Sequence, residues 1–157
     1  MPIKIKLSEI AESMDCQSEE IRAYINRETG KVEMFNDELV GAIEDDEDPD
    51  EAIEMYGGVK EDISLVKEIA KAEKWLSLPS KLDIHDYSIM QDFCRSQQDE
   101  GLRTRLENSI RGSEAFRRFR ATIEQAGLLE KWYAFKNSAY LEIARRWCEE
   151  NGVEFEE

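Results

Sequence analysis

The stretch SEAFRRFRATIEQAGLLEKWYAFKNSAYLEIARRWCEENG, at residues 113–152, decides the predicted fold. It contains two of the three Trp residues, three of the six Phe residues and two of the five Tyr residues. Its apolar residues recur every three or four positions, the spacing that aligns side chains on one face of a helix. The stretch therefore predicts two amphipathic helices, at 114–126 and 128–150, on either side of Gly127.

The faces of these two helices contain the largest apolar side chains of the stretch. Phe116, Phe119 and Ile123 form the predicted buried face of the first helix, and Ser113 is its predicted N-cap. The second helix carries a continuous apolar stripe over residues 132–147. These aromatic residues are therefore predicted to be core residues before any other role is considered.

Helical periodicity continues upstream of this stretch. Pro79 ends one helical segment, and Ser80 with Asp83 fits the capping box that opens the next element. Gly101 interrupts the pattern again. The three helices predicted in this part of the chain are 60–76, 84–99 and 102–110.

The first part of the chain predicts a short helix and a β-hairpin. Residues 7–15 place four apolar side chains on one helical face. Residues 21–36 alternate apolar and polar side chains on both sides of Glu28-Thr29-Gly30, where Gly30 can adopt a positive φ. Because an isolated hairpin is marginal in water, another element must cover or extend it. Residues 2–6 are the candidate third strand.

The predicted fold class is α+β, predominantly helical, with a small N-terminal β-hairpin or sheet packed beside a C-terminal helical bundle. A chain of 157 residues predicts a single domain at 1–157. Its parts are an α/β-hairpin part at 1–58, which includes an acidic loop at 44–54, and a helical part at 59–152. The predicted core consists of Leu106, Ile110, Phe116, Phe119, Leu128, Trp132, Phe135, Tyr140, Ile143 and Trp147, with Tyr24 and Phe35 from the hairpin.

Charge is distributed unevenly along the chain. The formal net charge is −15, and residues 1–100 hold 26 acidic and 11 basic side chains. Residues 101–157 hold ten of each. A strongly acidic protein repels nucleic-acid phosphates at long range and favours basic partners.

The acidic loop resembles the beginning of a calcium-binding loop, because three aspartates alternate from Asp46 to Asp50. The pattern then fails. Glu51 occupies the position that needs Gly, and Gly57 occupies the position that needs a bidentate Glu. The loop is therefore predicted to be a solvated surface segment, and no metal ligand is assigned to it.

The sequence lacks the motifs that carry catalysis or hold cofactors. It contains no nucleophile elbow, phosphate-binding glycine loop or dinucleotide fingerprint, so no catalytic, cofactor-binding or metal-binding residue is assigned. His85 is the one histidine, and with Asp83 or Asp86 it defines an enzyme alternative. A zinc site needs three or four ligands at workable spacing, which His85 and Cys94 alone do not provide.

The three cysteines are far apart and odd in number, which is typical of a reduced, cytoplasmic protein. Cys94 and Cys148 fall on predicted apolar faces and are predicted to be buried, unreactive thiols. The N-terminus lacks the apolar segment of a signal peptide. No apolar run approaches the ~18 residues of a membrane span, so a cytoplasmic protein without a membrane contact is predicted.

An arginine-rich segment at 103–120 is the candidate site for an anion or a partner. Guanidinium groups suit this role because they bind phosphate and carboxylate in a bidentate manner. Three interpretations stay open: contact with an anion or nucleic acid, docking of the acidic first part within the chain or across a dimer, and a solvated face with weak ion pairs. The candidate residues are Arg103, Arg111, Arg117, Arg118 and Arg120.

Several motifs together form a recognisable pattern. The C-terminal ones are GSEAFRRFR at 112–120, WYAF at 132–135 and ARRWCEENG at 144–152. Upstream motifs are Tyr24-Ile25 followed by ETGKV at 28–32, and Met90-x-x-Phe93. Over about residues 20–153, this pattern resembles the uncharacterised bacterial protein family 0158. Arg120 stands where the family pattern more often has Lys, and the acidic loop departs from the pattern.

The resemblance implies a soluble bacterial cytoplasmic domain, but it brings no catalytic residue, cofactor or substrate. The predicted function is therefore a non-catalytic protein-interaction or regulatory module without a cofactor. Its predicted partner is an unidentified protein, with a basic protein favoured and a homodimer as another form. Association of nucleic acid with residues 103–120 is the alternative, and an enzyme that uses His85 with neighbouring acids is the second alternative.

Overall fold

The computed structural model describes residues 3–157 and confirms an α+β, predominantly helical fold. The chain forms two compact units. The first unit consists of the chain up to Asp83 together with Ile143–Glu157, and the second unit consists of Ile84–Glu142. The first carries 27 acidic and 12 basic side chains, whereas the second carries nine of each. The single domain at 1–157, with its parts at 1–58 and 59–152, stays a prediction.

Short strands and helices alternate in the first half of the chain, and helices dominate the second half. A 3₁₀ turn at Lys60–Asp62 precedes α4. In chain order the elements are β1 (Ile5–Lys6), α1 (Leu7–Cys16), β2 (Ile21–Asn26), β3 (Val32–Asn36), α2 (Asp37–Glu44), α3 (Pro49–Tyr56), α4 (Ile63–Lys71), β4 (Trp75–Ser77), α5 (Lys81–Ile84), α6 (Asp86–Arg95), α7 (Glu100–Ser109), α8 (Ala115–Gln125), α9 (Leu129–Asn151) and β5 (Phe155–Glu156).

The predicted hairpin is confirmed. Strands β2 and β3 pair antiparallel, with Ile25 opposite Val32. The turn is built by the Asn26 side chain, whose Oδ1 accepts from the backbone N–H of Glu28 at 2.9 Å. Gly30 has a φ of +78°, the left-handed conformation that favours glycine. Local turn chemistry therefore fixes the register of this hairpin.

The predicted third strand at 2–6 is wrong. The third strand of the sheet is β4, which pairs antiparallel with β2 and gives the order β3-β2-β4. Strand β1 instead pairs in parallel with β5, with Ile5 opposite Phe155; Pro2 lies outside the described residues. Helix α4 ends at Lys71, and Ala72 is extended. Trp75 therefore lies in strand β4 and not in the helix predicted at 60–76.

One face of the three-stranded sheet is covered by α2, α3 and α4. Tyr24 of β2 and Trp75 of β4 lie in this core with Leu39, Ile43 and Val66, all under 9% exposed. Phe35 packs against the cluster, so the predicted roles of Tyr24 and Phe35 are confirmed. Helix α1 buries its four predicted apolar residues, Leu7, Ile10, Ala11 and Met14.

Ionisation of Tyr24 should make the protein less stable at alkaline pH. Its hydroxyl donates to Asp37 Oδ1 at 2.9 Å, and burial, followed by this hydrogen bond, raises the pKa of Tyr24 above its ordinary value. A phenol with a raised folded pKa stabilises the fold below about pH 10, and this contribution is lost as the pH rises above that value. We expect a loss of up to about 1.4 kcal/mol per pH unit, measured by urea unfolding.

Two phenylalanine variants separate Tyr24 from the other tyrosines. Tyr24→Phe should reduce the alkaline loss above about pH 10, because no phenolate can form at this position, and the loss that remains includes the buried thiols of Cys94 and Cys148. Tyr133→Phe is the matched control, since Tyr133 is 46% exposed and lies in the second unit. An alkaline loss of the same size in Tyr24→Phe and in the unmodified protein would contradict this origin.

The acidic segment 44–54 is not the loop that the sequence predicts. Helix α2 extends to Glu44 and α3 begins at Pro49, so only residues 45–48 connect them. Pro is favoured in the first turn of a helix, and acidic residues there interact favourably with the helix dipole. In the connection, Asp46 forms an ion pair with Lys71, which lowers the pKa of the Asp46 carboxyl.

The second unit packs α6, α7, α8 and the start of α9 around one aromatic cluster. Its buried members include the predicted core residues Leu106, Ile110, Phe119 and Leu128. Phe93 joins them, and its ring lies 6.0 Å from that of Phe119 in an edge-to-face arrangement. The predicted residues Trp132 and Phe135 are partly buried and pack against the cluster.

Three predictions about the helices near this core are wrong. Gly101 does not interrupt the chain but lies in the first turn of α7, which Asp99 caps by accepting from Leu102 N–H at 2.9 Å. Ser113 does not cap α8, because Glu114 precedes its first residue with a left-handed φ of +59°. Phe116 is 57% exposed and is not a core residue.

The other predicted features around α5 and α9 are largely confirmed. The capping box is present, since Ser80 N–H donates to Asp83 Oδ2 at 3.0 Å and Asp83 N–H donates to Ser80 Oγ at 3.2 Å. Tyr140 and Trp147 are buried, at 2% and 9% exposed. Ile143 is only half-buried.

Candidate functional site

The five candidate arginines are distributed over α7, α8 and the connection between them. Arg103 lies on α7, Arg111 follows that helix, and the other three lie on α8. The hydrogen bonds of these side chains point to different places on the second unit. Arg103, Arg118 and Arg120 donate to different partners, so each guanidinium has its own environment.

Arg118 binds the backbone of its own unit. Its Nε donates to the carbonyl oxygen of Ser109 at 3.1 Å, and its two terminal nitrogens donate to the carbonyls of Arg111 and Ser113. The last carbonyls of a helix have no partner within the helix, so Arg118 satisfies the C-terminus of α7 from outside. Its fork thus fixes the connection between α7 and α8, in which Gly112 has a φ of +78°.

Arg103 and Arg117 make weaker, more exposed contacts. Arg103 lies 3.8 Å from Glu100 and donates to the Gln97 carbonyl at 3.5 Å. Arg117 lies 3.7 Å from Glu114, and 82% of its side chain is exposed. Exposed pairs at such distances contribute roughly 0–1 kcal/mol. Arg117 is therefore held loosely and has most of its guanidinium in solvent.

Arg120 connects α8 to an exposed aromatic ring on α9. Its guanidinium carbon lies 5.7 Å from the centre of the Tyr133 ring, within the range of a cation–π contact. Its Nε donates to Glu124 at 3.0 Å. Phe116 lies one helical turn before Arg120 on α8, so both occupy the same face. We call Phe116, Arg117, Arg120 and Tyr133 the α8–α9 surface.

The α8–α9 surface contains two aromatic residues that the sequence does not identify as exposed. Phe116 is predicted to be buried because Phe116, Phe119 and Ile123 follow one another at spacings of three and four residues. In the structure Ala115, Phe119 and Ile123, spaced by four, are the buried residues of α8. The sequence also contains this spacing of four from Ala115, but the large ring of Phe116 favours the prediction that Phe116, and not Ala115, is buried.

His85, the candidate residue of the enzyme alternative, lies just before α6. It is exposed, and its φ of +57° places it in the left-handed region. None of the cavities described for residues 3–157 is lined by it. Asp86, a predicted neighbour, accepts a hydrogen bond from the Tyr140 hydroxyl. The enzyme alternative stays a prediction.

The cysteines are placed as the sequence predicts. Cys94 and Cys148 are fully buried, and burial raises the pKa of each thiol to about 11. Neither is a ready nucleophile near neutral pH. Within residues 3–157, no group of three or more His, Cys, Asp or Glu side chains is arranged to hold a metal ion.

No helix within the described part of the chain has both the length and the apolar content needed to cross a membrane. A family model described as Uncharacterised protein family (UPF0158) matches residues 1–157. No curated protein matches the chain. No solved structure matches it either.

Proposed function

Since the chain belongs to the uncharacterised protein family UPF0158, whose description carries no activity, we propose from the geometry that it is a non-catalytic protein-interaction module. Its partner contacts the α8–α9 surface. A cytoplasmic location belongs to the same proposal and is supported by Cys16, Cys94 and Cys148, which are all free thiols.

The exposure of two aromatic rings beside two arginines supports this proposal best. Phe116 is 57% exposed and Tyr133 is 46% exposed. Aromatic residues and arginine are enriched in protein interfaces, where a few of them supply most of the binding energy. Phe116 is thus an apolar anchor, and Arg117 and Arg120 of the same helix supply hydrogen-bond donors.

The chemistry of the surface defines the partner. Arginine forks bind carboxylates in a bidentate manner, and an exposed phenylalanine ring binds an apolar side chain. The partner segment therefore carries Asp or Glu next to a large apolar residue. A second copy of the chain is one such partner, because its first unit holds 27 acidic side chains. A basic partner, which the sequence favours, would contact the first unit instead.

Quantitative affinity capture with matched variants tests the proposal. Phe116→Ala and Arg117→Glu should each reduce the recovery of a specific partner from native lysate by about tenfold, as expected for hot-spot residues. Arg105→Glu is the control, because Arg105 is also exposed but donates to Gln125, which is not part of the α8–α9 surface. Sedimentation of the purified unmodified protein and of the Phe116→Ala variant shows whether the chain self-associates through this surface. Recovery that is the same for all variants would refute the role of this surface.

Single-stranded nucleic acid is the second candidate partner. The same pairing of exposed aromatic rings with arginines allows bases to stack while guanidinium groups contact phosphates. The net charge of −15 opposes this binding at long range. A labelled oligouridylate should then bind in a salt-dependent manner, and Arg117→Glu should abolish the binding. Equal anisotropy curves for the unmodified protein and for Arg117→Glu would exclude nucleic-acid binding at this surface.

A further inference from the structure

We propose that the first unit binds a small zwitterion with an apolar side chain, of the size of an aromatic amino acid. The site is a cavity of about 520 Å³ between β2, the segment that follows β4, and the C-terminal part of α9. This volume lies within the range of roughly 300–1,000 Å³ that is usual for small-molecule sites. The residues that define its chemistry are Arg22, Pro79, Asp83, Arg146, Trp147 and Glu150.

The floor of the cavity is held in place by the buried side chain of Gln17. This amide is 5% exposed and donates to the Pro79 carbonyl at 2.7 Å, while it accepts from Ala23 N–H at 2.9 Å. The Leu78 N–H also donates to the Ala23 carbonyl at 3.0 Å. The segment at 78–79 is thus fixed to β2 without a ligand, and a preformed site loses little entropy on binding.

Arg22 supplies the positive side of the cavity. Its Nη2 donates to the Leu78 carbonyl at 2.7 Å, which fixes the guanidinium at the cavity wall. Its Nε has no hydrogen-bond partner among the described residues. That Nε is buried, so the donors left for a ligand carboxylate are the remaining N–H groups of the two terminal nitrogens, and Arg22 is held in position to present them. Arg146 lines the same cavity.

Glu150 and Asp83 supply the negative side. Glu150 is exposed at the cavity, whereas Asp83 Oδ2 also accepts from the Ser80 hydroxyl at 3.0 Å as part of the capping box. A carboxylate accepts up to about four hydrogen bonds, so both groups can also receive an ammonium. Two carboxylates in the lining would repel a polyanion such as a nucleotide triphosphate. The combined charges fit a ligand that carries one carboxylate and one amine.

Trp147 supplies an apolar wall. Trp147 is 9% exposed as a residue and lines the cavity together with Pro79, Leu78 and Ile143. An aromatic or branched apolar side chain of the ligand packs against this wall, while its charged groups lie at Arg22 and Glu150. This arrangement of an apolar wall with a few placed polar groups is the usual one for small-molecule sites.

Calorimetric titration with L-phenylalanine tests the proposal. Two analogues serve as matched probes: 3-phenylpropionate, which lacks the amine, and phenethylamine, which lacks the carboxylate. We expect L-phenylalanine to bind and each analogue to bind about tenfold more weakly, because one charged group of the site then has no partner. No heat of binding at about 10 mM L-phenylalanine, a concentration that saturates even a millimolar site, would overturn the proposal.

Two variants assign the binding to this cavity. Glu150→Gln should weaken L-phenylalanine about tenfold and leave 3-phenylpropionate unchanged, since only the first ligand has an amine. Arg22→Lys should weaken L-phenylalanine and 3-phenylpropionate alike. Glu150 is exposed, so its variant is expected to fold even if the Arg22 variant does not. Arg105→Gln in the second unit is the control, and binding that does not change in Glu150→Gln would overturn the proposal.

Discussion

Replacement of Phe119 by alanine is expected to lower the free energy of unfolding by about 3–5 kcal/mol. Phe119 is 2% exposed, and its ring lies 6.0 Å from Phe93 and 4.9 Å from Trp132 in edge-to-face contacts. Truncation removes these contacts and leaves a cavity that the surrounding rings fill only in part. Urea unfolding followed by tryptophan fluorescence measures the change, with Trp132 as a reporter inside the cluster.

Phe116→Ala is the matched control, because both phenylalanines belong to α8 and are three residues apart. Phe116 is 57% exposed, and alanine has the higher helix propensity. Its replacement should therefore change the free energy of unfolding by no more than about 0.5 kcal/mol. Equal losses for the two variants would show that Phe116 is buried in solution and that the α8–α9 surface is not exposed.

Arg118→Ala is expected to lower the free energy of unfolding by about 2 kcal/mol. The variant leaves the carbonyls of Ser109, Arg111 and Ser113 without their shared charged donor. Part of the guanidinium is in contact with solvent, so water can replace some of these bonds. The expected loss in the free energy of unfolding is therefore smaller than the sum for three buried hydrogen bonds. Arg118→Lys should restore less than half of the loss, because one ammonium cannot match the fork geometry.

Arg117→Ala provides the comparison for Arg118. Arg117 is adjacent in sequence, but its side chain is 82% exposed and its pair with Glu114 is 3.7 Å long. Its replacement should change stability by less than about 0.5 kcal/mol while it weakens partner capture. If Arg118→Ala were as stable as Arg117→Ala, the connection between α7 and α8 would not depend on the arginine fork.

The elements that could be predicted from the sequence are those formed by local chemistry. The hairpin has its turn residues beside Gly30, and the capping box has Ser80 and Asp83 at the required spacing. The pairing of Ile5 with Phe155 could not be predicted, because nothing in either short strand identifies a partner so far away in sequence. The acidity of segment 49–54 predicts a loop, but the segment is helical, and Pro49 is a typical helix start.

The candidate site was predicted only in part for a similar reason. The sequence identifies an arginine-rich segment, but it cannot say which guanidinium groups bind backbone carbonyls. Arg117 and Arg118 are identical and adjacent, and the structure gives them different environments. The sequence predicts that Phe116 is in the core because a large aromatic ring favours burial, whereas Ala115 occupies the buried face of α8. Side-chain environment, unlike helical periodicity, depends on the packing of distant elements.

The division of the first unit into two segments has a consequence for synthesis on the ribosome. The second unit is one continuous segment and is complete in sequence before Ile143 is added. The first unit cannot be completed until the 74 residues from Ile84 to Glu157 have been added, since they include β5 and the cavity residues of α9. At roughly 5–20 residues per second, this interval lasts about 4–15 s. During that time strand β1 has no partner, whereas the three strands β2, β3 and β4 and their covering helices have already been synthesised.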